Sequence, residues 1–139
     1  MKEITLDATI ENIPRVTEWM DEALEKVGCA PRPLMQLHVV LDEVFSNIAR
    51  YAYKQRKDRG SVTVRFEYDP ETKTAAITFT DHGKPYNPLE KEDPDVTLSA
   101  EERNIGGLGI FLTKKLMDDI SYRHENGANI LCIRKKTGL

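Results

Sequence analysis

Glu43 and Asn47 stand four residues apart in a stretch whose apolar residues recur at helical spacing. That spacing places them one turn apart on one helix face. By helical geometry the face lies roughly 100–130° from the centre of the apolar stripe, so the pair flanks a core without entering it. The two groups suit different tasks. A carboxylate can take the proton of an attacking hydroxyl or water. A carboxamide oxygen can ligate a hard cation such as Mg²⁺. The same spacing also describes an ordinary solvated polar row, which Arg50 would continue.

Two further stretches carry chemistry of another kind. Asp81-His82-Gly83-Lys84-Pro85-Tyr86-Asn87-Pro88 follows a run of alternating apolar residues, so Asp81 falls at a strand end. A carboxylate there can accept a hydrogen bond from an amino group such as adenine N6, and Gly83 removes a side chain where a flat ring would approach. The plain alternative is a turn rich in Asp, Gly and Pro. Ile105-Gly106-Gly107-Leu108-Gly109 leads straight into a helical pattern. Backbone amides at a helix start, unobstructed by Cβ atoms, form an anion site suited to phosphate. A flexible loop before a small-residue helix start is the competing reading. Neither GxxxxGK[ST] nor GxGxxG occurs, which excludes the folds those motifs mark.

The elements that must position these groups are legible from periodicity. Residues 3–9 alternate Ile4, Leu6 and Ala8, a half-buried strand pattern. Ile13 to Val27 reads as a helix, capped by Asn12, with Pro14 in its first turn and Gly28 beyond its end. Pro31-Arg32-Pro33 breaks the chain, and a second helix is expected from about Leu34, with the stripe Leu34, Leu37, Leu41, Val44, Ile48 and Tyr51. Residues 61–68 and 73–80 alternate on either side of Asp69-Pro70-Glu71-Thr72, a hairpin. The polar stretch at about 88–105 is too long for a core connection and reads as a functional lid. Leu108 to Met117 is expected to be helical. Residues 121–125 and 129–136 are expected to be strands joined by the Asn126-Gly127 turn. This order predicts one α+β domain over residues 1–139, a two-layer sandwich with helices on one face of a mostly antiparallel sheet.

Bulk properties narrow the classes. The 139 residues carry a net charge of −3, which argues against a nucleic-acid binder. The basic cluster Lys54, Arg56, Lys57 and Arg59 reads as a solvated helix end. Cys29 and Cys132 show no metal-site spacing and fit a reducing cytoplasm. The first residues lack the apolar core of a signal peptide, and no run is long enough to span a membrane. His38, His82 and His124 form no nucleophile constellation with a Ser or Cys.

Together the three stretches resemble the GHKL ATP-binding superfamily: E-x-x-x-N at Glu43 and Asn47, D-x-G at Asp81 and Gly83, and G-x-G before a helix at Gly107 and Gly109. Within it the chain is similar to the anti-sigma-factor serine kinases of the RsbW and SpoIIAB type. Their E-x-x-x-N-x-x-[KR]-H-A-Y motif corresponds to residues 43–53, with Tyr51 where histidine is common. Their D-x-G-x-P-[FY]-[DN]-P motif corresponds to residues 81–88 at every fixed position. Ala128 stands where relatives often carry a threonine that helps hold adenine. The resemblance implies a Bergerat-type fold binding ATP and Mg²⁺ and transferring phosphate to a serine or threonine. It implies Glu43 as general base, Asn47 as Mg²⁺ ligand and Asp81 with Gly83 as the adenine site. Gly106, Gly107, Leu108 and Gly109 would meet the phosphates, with Arg50 and Arg103 balancing their charge. The implied partners are an anti-sigma-factor antagonist and a sigma factor, with the domain a homodimer. Two other readings stay open: a nucleotide-gated binding module without useful transfer, and the detached catalytic domain of a two-component sensor.

Overall fold

The computed structural model describes residues 1–53, 60–85, 87, 89 and 105–138, and of residues 105–110 the backbone alone. Five strands form one sheet: β1 (Lys2–Asp7), β2 (Ser61–Asp69), β3 (Thr74–Asp81), β4 (Asp119–Glu125) and β5 (Ala128–Lys136). Their order is β1-β2-β3-β5-β4, and every pairing is antiparallel. Strand alternation explains the layering. Leu6, Val62, Val64, Phe66, Ile77, Phe79, Leu131 and Ile133 are buried on one face. The other face carries Thr5 against Thr63 and the pairs Arg65–Glu3 and Arg134–Asp119.

Among the described residues three α-helices, α1 (Ile13–Lys26), α2 (Pro31–Asn47) and α3 (Ile105–Leu116), accompany the sheet. Val16, Met20 and Leu24 of α1 are fully buried, as are Leu37, Val40, Leu41 and Phe45 of α2. α2 packs against both α1 and α3. α3 is tied down at its C-terminal end, where Lys135 Nζ of β5 donates to the Leu116 carbonyl at 2.8 Å. Beyond it, the Asp118 carboxylate accepts the Lys136 amide at 2.7 Å. The architecture is the expected α+β sandwich. None of the described helices is long and apolar enough to cross a membrane.

Several local expectations need correction. Asn12 precedes α1 but makes no side-chain cap; its amide donates to the Asp7 carbonyl at 2.9 Å, closing the 3₁₀ turn Ile10–Asn12 that replaces a simple cap. α2 begins at Pro31, not Leu34, because both prolines fall in the first turn, where amide groups have no intrahelical acceptor to lose. Tyr51 is 50% exposed and leaves the apolar stripe. The cause is a π-helical turn over Ile48–Ala52, which adds a residue to the turn and rotates everything after Ile48. α3 begins at Ile105, so the glycines lie inside the helix and not in a loop before it. The final hairpin turns on Asn126 and Gly127, with φ of 51° and 79°, the left-handed pair a two-residue hairpin requires. The lid expected at about 88–105, with Arg103, and the basic cluster at 54–59 lie outside the described residues, apart from Leu89 and Ile105.

Candidate nucleotide site

Asp81 is the last residue of β3 and is 5% exposed. Its Oδ1 accepts two hydrogen bonds at 2.9 Å each, from the Gly83 amide and from the Asn129 side-chain amide. The first is the local turn that an aspartate forms with the backbone two residues on. The second follows from sheet register, since β3 and β5 place Asp81 directly opposite Asn129. Oδ2 takes no hydrogen bond among the described residues. No buried side-chain polar atom there lacks a partner, so Oδ2 must reach the surface. A buried carboxylate thus keeps one oriented, open acceptor.

Asn129 itself is fixed from two sides. Its Nδ2 also donates to the Lys84 carbonyl at 3.0 Å, and its Oδ1 accepts the Tyr122 hydroxyl of β4 at 2.5 Å. These neighbours decide which way the amide points. The sequence reading missed both residues and looked to Ala128 instead. Ala128 is buried at the start of β5, but Asn129 is the residue that meets Asp81. The available signal was a polar residue at the head of the inward series Asn129, Leu131, Ile133.

The loop after Asp81 is clamped to the end of the π turn. The Lys84 amide donates to the Ala52 carbonyl at 2.8 Å. A Cβ on Gly83 would lie 2.1 Å from that same oxygen, so only glycine permits the approach. Gly83 therefore serves backbone contact first. Tyr53 is the second clamp: its hydroxyl donates to the Ser61 carbonyl at 2.6 Å and accepts the His82 amide at 2.8 Å. Gly60 lies against the Tyr53 ring, where a Cβ would come within 2.2 Å of three ring carbons.

Asn47 closes α2, and Glu43 lies one turn earlier. Both are half-buried, and among the described residues neither side chain has a hydrogen-bond or ion-pair partner. Ala52 lies one π turn beyond Asn47, so the α2 pair and the Asp81 loop share a single joint. Arg50 is exposed on that turn. Among the described residues no three His, Cys, Asp or Glu side chains gather to hold a metal ion. Mg²⁺ carried on phosphates needs only one or two protein ligands, and the uncommitted Asn47 carboxamide fits as one hard oxygen donor. The glycine segment enters as the first turns of α3. Gly106 and Gly107 lie among the first amides, which a helix leaves without intrahelical acceptors; Leu108 and Gly109 lie just past them. The partial positive charge of a helix start favours an anion there. His38 pairs with Asp21 across α1 and α2, and His124 is exposed on β4; neither joins these groups.

A profile of the histidine kinase-like ATPase domain matches residues 6–135. The chain belongs to that family. Within the family it is similar to proteins named serine-protein kinase RsbW. The Staphylococcus epidermidis protein is 25% identical over 138 residues, covering 95% of this chain and 84% of its own. That of Bacillus cereus is 28% identical over 134 residues, covering 93% and 81%. A crystal structure of the RsbU and RsbW domains of a Mycobacterium tuberculosis protein superposes with a TM-score of 0.66 at 14% identity. It covers 98% of this chain, which spans 32% of that longer one, and the likeness is one of fold. The histidine kinase-like ATPase fold is thus established by sequence profile and by architecture alike.

Proposed function

We propose that the domain binds Mg·ATP and transfers its γ-phosphoryl group to a serine or threonine of a small anti-sigma-factor antagonist. The observation that carries this is the buried Asp81 carboxylate, fixed at Oδ1 and open at Oδ2. In this reading Oδ2 accepts a hydrogen bond from the adenine 6-amino group, and Gly83, by letting the loop close on Ala52, holds that carboxylate in place for the base. The amides of Gly106 and Gly107, with Leu108 and Gly109 behind them, face the phosphates. Arg50 and Arg103 offset phosphate charge. Asn47 holds Mg²⁺, which when bound neutralises charge on the phosphoryl oxygens. Glu43 takes the proton of the incoming hydroxyl. The resemblance to the RsbW proteins supports extending the partners to a sigma factor, the assembly to a homodimer and the setting to the cytoplasm.

The test is to incubate the purified protein with Mg²⁺, γ-labelled ATP and a purified antagonist protein. Label stable to acid and released by alkali on the antagonist is the expected result. Tight ATP binding with no transfer to any antagonist would leave a nucleotide-gated binding module. Label on a histidine would instead favour a sensor-kinase fragment.

A further inference from the structure

We propose that Asn129, buttressed by Tyr122, is a positioning residue that makes the site choose a 6-amino purine over a 6-oxo purine. The inference rests on the nucleotide reading of Asp81 given above and assigns the selectivity to residues outside the recognised motifs.

A carboxylate accepts through both oxygens and is free to rotate about its bond to Cβ. An unrestrained aspartate could turn either oxygen, or its edge, toward a base. Here two donors converge on one oxygen: the Gly83 amide from within the loop and the Asn129 amide from the neighbouring strand. Their directions differ, because one comes along the chain and the other across the sheet. Together they fix the carboxylate plane and leave Oδ2 as an acceptor in a set place. The Asn129 amide could not do this if it were flipped, since Oδ1 would then oppose the carboxylate. Flipping is blocked from the Asp81 side, and the Tyr122 hydroxyl, able to donate, completes the arrangement. Nδ2 faces Asp81 Oδ1 and the Lys84 carbonyl, both acceptors, while the Tyr122 hydroxyl donates to Oδ1. The chain Tyr122–Asn129–Asp81 therefore converts a hydroxyl on β4 into a fixed acceptor at the end of β3. Adenine places an amino donor at C6; hypoxanthine and guanine place a carbonyl acceptor there. The 6-oxo purines carry a donor one position away, at N1, so an acceptor held opposite C6 rewards the first and meets the carbonyl of the second, where a mobile one could turn to N1.

The experiment measures dissociation constants for Mg·ATP and Mg·ITP by calorimetry on the parent, Asn129→Leu and Tyr122→Phe. Triphosphate, ribose and metal contacts are common to both nucleotides, so the ratio isolates the C6–N1 edge of the base. The parent should prefer ATP by on the order of 10²-fold. Asn129→Leu should weaken ATP by roughly tenfold or more while ITP stays within about threefold, because ITP gains no bond from a well-placed Oδ2. Tyr122→Phe should fall between the two. Equal weakening of both nucleotides in a folded Asn129→Leu protein would make Asn129 merely structural and overturn the proposal, as would an unchanged ratio. If Asn129→Leu does not fold, an unchanged ratio in Tyr122→Phe overturns it. A parent that binds neither nucleotide would overturn the nucleotide reading itself, and this inference with it; a parent that binds ATP and ITP equally would leave that reading standing and sink the inference alone.

Discussion

The Tyr53 hydroxyl accepts the His82 amide at 2.8 Å, bridging the end of the π turn to the loop that follows Asp81. The same hydroxyl donates to the Ser61 carbonyl at the start of β2. Tyr53→Phe removes both bonds while keeping the ring packed on Gly60. Stability should fall by about 1–3 kcal/mol, the usual cost of stranding buried polar groups. Urea unfolding measures this. ATP affinity should fall as well, since the loop loses a tether; an unaltered affinity would mean that the Lys84–Ala52 bond suffices.

Gly83→Ala tests the other clamp. The added methyl would meet the Ala52 carbonyl at 2.1 Å, and backbone cannot yield as a side chain can. The Lys84–Ala52 bond should break and ATP affinity should drop at least roughly tenfold, the equivalent of one good hydrogen bond. Gly28→Ala is the control. Gly28 has open space around it but φ of 70°, so the cost should be about 1 kcal/mol of stability with no loss of nucleotide affinity. Calorimetry on both variants would show the contrast.

Asp81→Asn has a directional consequence. The amides of Gly83 and Asn129 would hold the new carboxamide oxygen where Oδ1 now sits, turning its NH₂ outward. ATP would then meet donor against donor and lose roughly a hundredfold or more in affinity, whereas ITP would gain a partner. The apo melting temperature should stay near that of the parent. A variant that still prefers ATP would remove Asp81 from the base-reading role.

Glu43 and Asn47 share a helix face but should fail differently. Glu43→Ala should bind Mg·ATP within a few-fold of the parent and slow transfer by roughly 10²–10⁴-fold, the range for loss of a general base. Asn47→Ala should lose Mg·ATP affinity and, with it, transfer. Nucleotide binding and antagonist phosphorylation, measured side by side, separate the two roles. Full transfer by Glu43→Ala would show that the carboxylate is not the base.

Phe45 is fully buried on α2, two residues from both Glu43 and Asn47 and so on the opposite side of the helix from them. Phe45→Ala should cost about 3–5 kcal/mol in denaturant unfolding, because the core can only partly close over the lost ring. A much smaller cost would mean that α2 shifts into the space, and Glu43 and Asn47 should then move with it.

Strands and hairpins were legible because alternation and turn chemistry are local: Val62, Val64 and Phe66 announce their face, and Asn126-Gly127 announces its turn. The three motif stretches were legible as residue types at fixed spacing. What escaped was non-local. Nothing near Asn129 in sequence says that it faces Asp81 across two strands, and nothing near Tyr53 says that its hydroxyl reaches His82. The Tyr51 error has a different source. A periodicity argument assumes constant helical pitch, and the pitch changes at Ile48. Likewise Pro31 and Pro33 were read as breakers, although a helix start tolerates proline.

The π turn makes the number of residues between Asn47 and Tyr53 matter more than their identity. Ile48, Ala49, Arg50, Tyr51 and Ala52 offer no shared chemistry, yet together they spend one extra residue on a single helical turn. Adding one residue to this already widened turn would swing the Ala52 carbonyl and Tyr53 hydroxyl about 100° away from the loop they hold, whereas losing one would let α2 run on at ordinary pitch with their direction nearly kept. The insertion would lose both anchors at once, although every residue proposed to meet the nucleotide would remain. A one-residue insertion there should therefore weaken ATP binding more than any single substitution in the same five positions. Chain length at this joint is a selectable trait in its own right, invisible to a scan that changes one side chain at a time.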